Sequence, residues 1–531
     1  MLLGSRQGRM GCLMTSLLAC LVSCAAYAEG ARILAILSFP SISHQVVYRA
    51  LTKELARRGH QMVVVTPDPI NDPTFPNYTE IDISRTYQFF RETDFASARL
   101  AQASTYEQFT GFYTTGDAIC ETTMVNAKIQ AMIDPNNTRE HFDLVFIEWL
   151  VTPCMTAFAH RFNAPIIGLS SLPPIGVMYD SVGNPTNPSY IPEIALPYTD
   201  RNRTFFQRLH ATIYNLRFDY FFQNNLLPRQ DLITKRFFGS STPYIGDLHN
   251  QVSMLFLNYL ECFHNPRPNV PAVMYVNGFH INPPKQLPLD IQEFLDSAPK
   301  GAIYFSLGSN VRSDQLTAEK RSIFLETFSE LRDYHVLWKW ESDNLPGQPA
   351  NVKVSKWMPQ QDILRHPKVK VFITQGGLQS TEEAIQTKVP MLGIPFFGDQ
   401  DFNTKLGEDR GVTLRLEVND LTKETLLVAL TKVIEDKSYR ENMERLSALV
   451  NDQITTPMER AVWWTEYVLR HKGAKHLRTA AVDMPWYTYL LLDIVLFLLV
   501  ITSLVVVLLS IAVRFILRKL ELYRSQKEKT N

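Results

Sequence analysis

Between Trp357 and Gln400 the chain gathers side chains whose types suit a nucleotide-linked sugar. The apolar run Val369-Lys370-Val371-Phe372-Ile373-Thr374 ends in Gln375-Gly376-Gly377, and Leu378-Gln379-Ser380-Thr381-Glu382-Glu383-Ala384 follows with helical character. A strand, a glycine pair and a helix start form an anion cradle. Without Cβ atoms the backbone comes close, and the free N–H groups of the first helical turn meet a diphosphate. Trp357, in Trp357-Met358-Pro359-Gln360, offers an indole for stacking on a flat base. Glu383 lies one to two turns into the helix, placed to grip a diol such as ribose. Asp399 and Gln400 close Pro395-Phe396-Phe397-Gly398-Asp399-Gln400 with a carboxylate and an amide, a pair suited to sugar hydroxyls. Each has an ordinary alternative: core filler for Trp357, exposed helix charge for Glu383, helix N-cap for Asp399. Their fixed order along one stretch argues for the joint chemical role.

The elements that must position these groups repeat one rhythm. Ala31–Leu37 reads as a buried strand, His44–Arg58 as a helix closed by Gly59, and Gln61–Thr66 as another buried strand. Strand, helix and strand with continuous apolar runs make a parallel βαβ unit. Phe142–Ile147 and Ala164–Leu169 extend that sheet. Thr204–Leu227 is rich in aromatics and reads as a core helix in preference to a surface helix touching membrane. Six prolines between residues 265 and 290 mark an interdomain linker. Strands then resume at Ala302–Leu307, Tyr334–Trp340 and Val369–Thr374, with helices at Ser380–Thr387 and Lys423–Glu435. Two α/β domains facing a cleft are expected.

The ends and the composition set the environment. Residues 1–28 carry Arg6 and Arg9, an apolar stretch and Ala26-Tyr27-Ala28, the pattern of a cleaved signal peptide; an uncleaved anchor is the alternative. Ile494–Val513 is a run of 20 residues without a charge. At about 1.5 Å per residue it spans roughly 30 Å, the hydrocarbon thickness of a bilayer. Trp486, Tyr487 and Tyr489 precede it and Arg514, Arg518, Lys519 and Arg524 follow, so the tail is expected in the cytosol. Lys+Arg and Asp+Glu both number 53, a balance that leaves no basic footprint for nucleic acid. Beyond the leader remain Cys120, Cys154 and Cys262, so at least one thiol is unpaired or pairs between chains. No Cys/His spacing suggests a metal site. Asn77, Asn136 and Asn202 are sequons for glycosylation.

The stretch W-M-P-Q-Q-D-I-L-R-H-P-K-V-K-V-F-I-T-Q-G-G-L-Q-S-T-E-E-A-I, followed by P-F-F-G-D-Q, resembles the signature of the UDP-glycosyltransferase family, the UDP-glucuronosyltransferase-like enzymes of animals. The resemblance runs over the whole chain. It implies a GT-B fold of two Rossmann-like domains facing a cleft plus a C-terminal transmembrane helix. The implied order is a signal peptide (1–28), an acceptor-binding domain (29–280), a UDP-sugar-binding domain (281–480), a membrane helix (490–513) and a cytosolic tail (514–531). Lys527-Glu528-Lys529-Thr530-Asn531 resembles a dilysine retrieval signal, implying a single-pass type I protein of the endoplasmic reticulum membrane with lumenal domains.

By position, the resemblance puts Trp357 on uracil, Gln360 near the ribose and Glu383 on its hydroxyls. Ser306, Gln375, Gly376, Gly377 and Gln379 would face the diphosphate, and Asp399 and Gln400 would hold the transferred sugar. Lys339 stands where family members often carry arginine near the nucleotide. His44 matches the catalytic base, and Glu148 the carboxylate that orients it, for which many relatives have aspartate. An anonymous βαβ unit would favour a capping or core role for His44. The family pattern is T-H-G-G; here Gln375 replaces the histidine, as in some insect members and the baculoviral ecdysteroid glucosyltransferases. That departure favours UDP-glucose over UDP-glucuronic acid as co-substrate, with no cofactor or metal implied. A small lipophilic acceptor and membrane lipid are the other expected partners, and self-association is left open. A catalytically silent binding protein and a membrane receptor are the rival readings; a tail of 514–531 with no signalling domain speaks against the latter.

Overall fold

The computed structural model describes residues 30–91, 95–102, 104–199 and 203–530. The leader and Asn202 lie outside these residues. Two parallel sheets form the body of the molecule. The first contains β1 (Arg32–Ile36), β2 (Gln61–Thr66), β3 (Tyr78–Asp82), β4 (Leu144–Glu148), β5 (Ile166–Ser170), β6 (Met254–Asn258) and β7 (Val273–Val276) in the order β3-β2-β1-β4-β5-β6-β7. The second contains β8 (Gly301–Ser306), β9 (Tyr334–Lys339), β10 (Val352–Ser355), β11 (Val369–Thr374), β12 (Met391–Gly393) and β13 (Thr413–Arg415) in the order β10-β9-β8-β11-β12-β13. Runs such as Leu144–Glu148 and Gly301–Ser306 are buried at every position, as strands covered on both faces must be.

Each order reverses once, between β1 and β4 in the first sheet and between β8 and β11 in the second. At such a reversal the connecting segments leave on opposite faces, and a crevice opens beyond the carboxyl ends of the two strands. The two-Rossmann arrangement expected from the sequence is therefore present, and both crevices belong to one compact unit that ends at Arg478.

Three segments differ from expectation. The proline-rich stretch is not all linker, because β7 lies inside it and completes the first sheet. Its apolar Val-Met-Tyr-Val core outweighs the flanking prolines. The second domain, expected to run to residue 480, does not keep its last helix. Pro457–His471 crosses back onto the helix Ile42–Arg57 and β7, where Ala461, Val462 and Val468 pack with Val47, Leu51 and Leu55. The aromatic segment forms a helix, Phe205–Phe221, that is core on one face only. Tyr214 and Phe218 are buried, whereas Phe205 and Phe206 are 63% and 76% exposed. Cys120 and Cys154 form a disulfide and Cys262 is free and exposed.

Residues from Thr479 form a separate unit. Its main element is the helix Leu492–Thr530, whose most apolar window has a mean hydropathy of 3.2. The helix continues past residue 513, so the segment expected as the tail is helical through Thr530.

The crossing helix backs the element that carries His44. Val462→Asp buries an unpaired carboxylate in that contact and should lower unfolding free energy by on the order of 3–5 kcal/mol. Ile454→Asp, at a fully exposed site, should change it by less than about 0.5 kcal/mol. Denaturant titration of the two variants checks the difference.

Candidate active site

The turn Ser38-Phe39-Pro40-Ser41 breaks the chain after β1, and the helix Ile42–Arg57 starts at once. His44 therefore sits in the first helical turn, at the crevice of the first sheet. Glu148, the last residue of β4, faces it across the reversal point. The imidazole Nδ1 lies 2.8 Å from Glu148 Oε1. The other carboxylate oxygen accepts the Phe39 N–H at 2.8 Å. The Tyr48 hydroxyl donates to Oε1 at 3.3 Å and accepts the Ser171 N–H at 2.8 Å. His44 is 5% exposed and Glu148 1%. Burial, then the nearby Glu148 charge, hold Tyr48 well above the usual phenol range, so it stays a donor. With Nδ1–H directed at a carboxylate, Nε2 is left as the proton-accepting nitrogen. Tyr48 was not among the residues singled out in the sequence; its spacing of four from His44 on one helix face is the signal that points to it.

The opposite wall comes from the second sheet. Thr374 ends β11 directly beside Ser306, the end of β8. Gly376 then takes φ +83°, and a Cβ there would lie 2.3 Å from Thr404 Cγ2, so glycine is required twice over. Gly377 caps the helix Leu378–Thr387 without a side-chain cap, which leaves its first N–H groups free of side-chain partners. The Gln375 side chain folds over Gly308, at φ +77°, where a Cβ would meet its Nε2 at 2.1 Å. The Thr374 hydroxyl donates to Gln375 Oε1 at 3.1 Å.

Around this cradle the carboxylates are held by amides. Glu383 accepts from Gln360 Nε2 at 2.7 Å and from Gln361 Nε2 at 3.0 Å. Gln400 Oε1 accepts the Phe396 and Phe397 N–H groups at 2.9 and 3.1 Å. Asn403 Nδ2 donates to Asp399 Oδ2 at 2.7 Å and to the Gly376 carbonyl at 3.0 Å. Asp399 stands at the N-cap position of the helix Gln400–Asp409 but makes no side-chain cap bond. Lys339 Nζ donates to the Gly308 carbonyl at 2.9 Å, pairs with Glu341 at 2.6 Å and lies 6.0 Å from the centre of a Trp357 ring. Trp357 is 62% exposed, an indole open to solvent.

Both walls line one cavity of about 780 Å³. His44, Ser306, Lys339, Trp357, Gln360, Gln375, Gly377, Gln379, Glu383, Asp399 and Gln400 all reach it. Glu148 and Gly376 stand behind this lining. Gln379, expected toward a diphosphate, spends its amide N–H on the Ser171 carbonyl of the first domain at 2.8 Å. A separate part of the wall is apolar, formed by Phe39, Phe109, Phe112, Leu172 and Met178. Asn77 and Asn136 are exposed. Burial pushes the Asp399 carboxyl up to about 6, against the opposing pull of Asn403 and of His44 across the cavity.

Known proteins share this organisation. The family model described as "UDP-glucoronosyl and UDP-glucosyl transferase" matches residues 34–527. UDP-glycosyltransferase UGT5 of Dactylopius coccus is 37% identical over 92% of this chain and 92% of its own. UDP-glucuronosyltransferase 2B7 of Homo sapiens is 32% identical over 87% and 89%. The ecdysteroid UDP-glucosyltransferase of Lymantria dispar multicapsid nuclear polyhedrosis virus is 32% identical over 89% and 94%. Among solved structures, glycosyltransferase VinC in complex with DTDP superposes with a TM-score of 0.57 at 16% identity, over 83% of this chain and 100% of VinC. At that identity the likeness carries the GT-B fold alone.

Asp399 gives a test that needs no substrate. Its folded value of about 6 is raised above the ordinary 3.8, so the folded state holds the proton longer than the unfolded one. Stability then falls as pH rises from about 4 to 6, and the deficit persists above 6. At about 1.4 kcal/mol per unit its ceiling is about 3 kcal/mol. Asp399→Asn should unfold later than wild type at pH 7.5 and together with it near pH 4, as read by thermal melts at both values.

Proposed function

The chain belongs to the UDP-glycosyltransferase family, and from that premise we propose that it is an inverting transferase moving glucose from UDP-glucose to a hydroxyl of a small lipophilic acceptor. One observation carries the reading: the His44–Glu148 pair and the Gln375–Gly377 cradle, from different domains, line or directly back the same cavity. His44 Nε2 takes the acceptor's hydroxyl proton as the oxygen attacks C1 of the sugar. The bond from C1 to the diphosphate oxygen breaks on the opposite face, so the anomeric centre inverts. Glu148 stabilises the imidazolium formed, and the free N–H groups at the start of Leu378–Thr387 receive the charge that builds on UDP. General-base assistance contributes roughly 100- to 10,000-fold, and positioning of the two substrates supplies much of the rest.

Glucose is favoured over glucuronic acid by the charges around the cavity. Its two lining lysines are Lys339, whose Nζ lies 6.0 Å from the centre of a Trp357 ring, and Lys285, whose backbone N–H donates to Asp362. Among the described residues no arginine lines it, and Asp399 beside Gln400 would repel a sugar carboxylate. Gln375 supports the same reading through the ecdysteroid glucosyltransferase likeness. The apolar wall of Phe39, Phe109, Phe112 and Met178 suits a lipophilic acceptor such as a phenol or steroid. We further propose a lumenal placement in the endoplasmic reticulum, with Leu492–Thr530 as the membrane anchor; the Cys120–Cys154 disulfide accords with an oxidising compartment.

His44→Ala should keep UDP affinity within about twofold and reduce transfer by at least roughly 100-fold. Undiminished transfer would remove His44 from the role of base. A panel of phenol and sterol acceptors run with both donors should give higher kcat/KM for UDP-glucose. Preference for UDP-glucuronic acid reverses the donor assignment, and UDP binding without turnover on any acceptor reassigns the chain as a binding protein.

A further inference from the structure

Glu383 is not the only buried carboxylate at its position. Its neighbour Glu382 is 2% exposed and accepts from Asn258 Nδ2 and from the Gly278 N–H, both at 3.1 Å. Both donors come from the first domain and the segment leaving it. Burial raises the Glu382 carboxyl, opposed chiefly by His280. His280 lies on the same segment, just beyond β7, and is buried with its ring between the two carboxylates. Its Nε2 lies 3.5 Å from Glu383 Oε1 and 3.2 Å from the Gln379 carbonyl, and its Nδ1 lies 3.6 Å from Glu382 Oε2. Among the described residues it is the one basic side chain within 4.0 Å of either glutamate. Its carbonyl oxygen accepts from Gln361 Nε2 at 2.9 Å, and that same amide nitrogen holds Glu383. His280 also lines the nucleotide cavity.

We propose that His280 is a positioning residue for nucleotide recognition: ring and carbonyl together hold the Glu383 carboxylate in the geometry that receives the ribose hydroxyls. Two adjacent carboxylates in a buried site repel each other, and without a group between them Glu383 would turn out of place. Because His280 belongs to the interdomain segment, the seat of the ribose is set partly by the first domain. This rests on the reading of Glu383 as the ribose ligand given above. No proton transfer is assigned to His280.

The test compares competition by UDP, 2′-deoxy-UDP and 3′-deoxy-UDP against UDP-glucose turnover, using the full-length, detergent-solubilised protein. A site built to bind a hydroxyl rejects the analogue lacking it, so wild type should favour UDP over at least one deoxy analogue by about tenfold or more. Glu383→Gln should erase that preference. His280→Ala should cut it at least about fivefold and raise the donor KM, with kcat within about threefold. His280→Gln, which keeps a donor, should recover part of it. Glu382→Gln removes the competing charge in the same shape and should leave the preference intact, which decides the matter if His280→Ala does not fold. An unchanged preference in His280→Ala, a fall in kcat without a change in KM, or a Glu382→Gln variant that loses the preference overturns the proposal. An unchanged preference in Glu383→Gln overturns the ribose reading itself.

Discussion

The hydrogen bond from His44 to Glu148 lies at the reversal point of the first sheet, and its burial dictates much of what surrounds it. A carboxylate at 1% exposure is costly by several kcal/mol unless its lone pairs are met. Here they receive an imidazole, a phenol and one backbone N–H. That backbone donor exists because Phe39 lies in a turn, where its N–H is not committed to a ladder or a helix. The turn in turn requires the strand to stop at Ile36 and the helix to begin at Ile42. The hydrophobic cluster beneath that helix, completed by the returning Pro457–His471, backs the helix that carries the histidine. A helix late in the first unit thus packs on one near its start.

The second domain solves the complementary problem of presenting unpaired donors to an anion without exposing a disordered loop. Gly376 achieves this by contact as much as by backbone freedom: its α-carbon is pressed against Thr404, and Asn403 fixes its carbonyl. The domains are also tied to one another at several places. Asn310 Nδ2 donates to Ser41 Oγ at 3.0 Å, one residue from the helix that carries His44. Arg99 grips Asp401 with two bonds of 2.8 Å and Glu417 with a third, beside the Asp399–Gln400 pair. Thr199 bonds to Asp409. These ties hold the His44 helix and the Gln375–Gly377 turn in one frame.

Local periodicity made a good part of this legible in the sequence. Gln61–Thr66 and Val369–Thr374 coincide with the strands read from continuous apolar runs, where burial on both faces leaves little ambiguity, and Lys423–Glu435 coincides with the helix read there. His44, Ser306 and Gln375, singled out through the family resemblance and not by periodicity, all reach the cavity. What escaped was long-range. The Cys120–Cys154 pairing joins first-domain segments 34 residues apart, and the bond from Gln379 to Ser171 and the return of Pro457–His471 depend on how domains meet; no local pattern encodes either. The segment from Thr204 was hard for another reason. Its apolar residues run on both faces, so spacing does not tell the buried Tyr214 from the exposed Phe206.

The chemistry of the second-domain wall lies in how its carboxylates are restrained. Glu383 and Asp399 are buried beside the cavity, yet their close hydrogen-bond donors are the amides of Gln360, Gln361 and Asn403. An arginine in such a place would occupy a carboxylate with two charge-assisted bonds and neutralise it. A neutral amide fixes one oxygen and leaves the charge and the remaining lone pairs to accept hydroxyl groups. Gln400 and Gln375 extend the pattern, each with its amide oxygen engaged by its own loop. The arrangement has a thermodynamic consequence, visible in the raised Asp399 carboxyl: the wall keeps this charge desolvated. Hydroxyl groups brought to such acceptors would find them already aimed, with little reorganisation left. Gln375 shares this neutrality, its amide oxygen taken by the Thr374 hydroxyl.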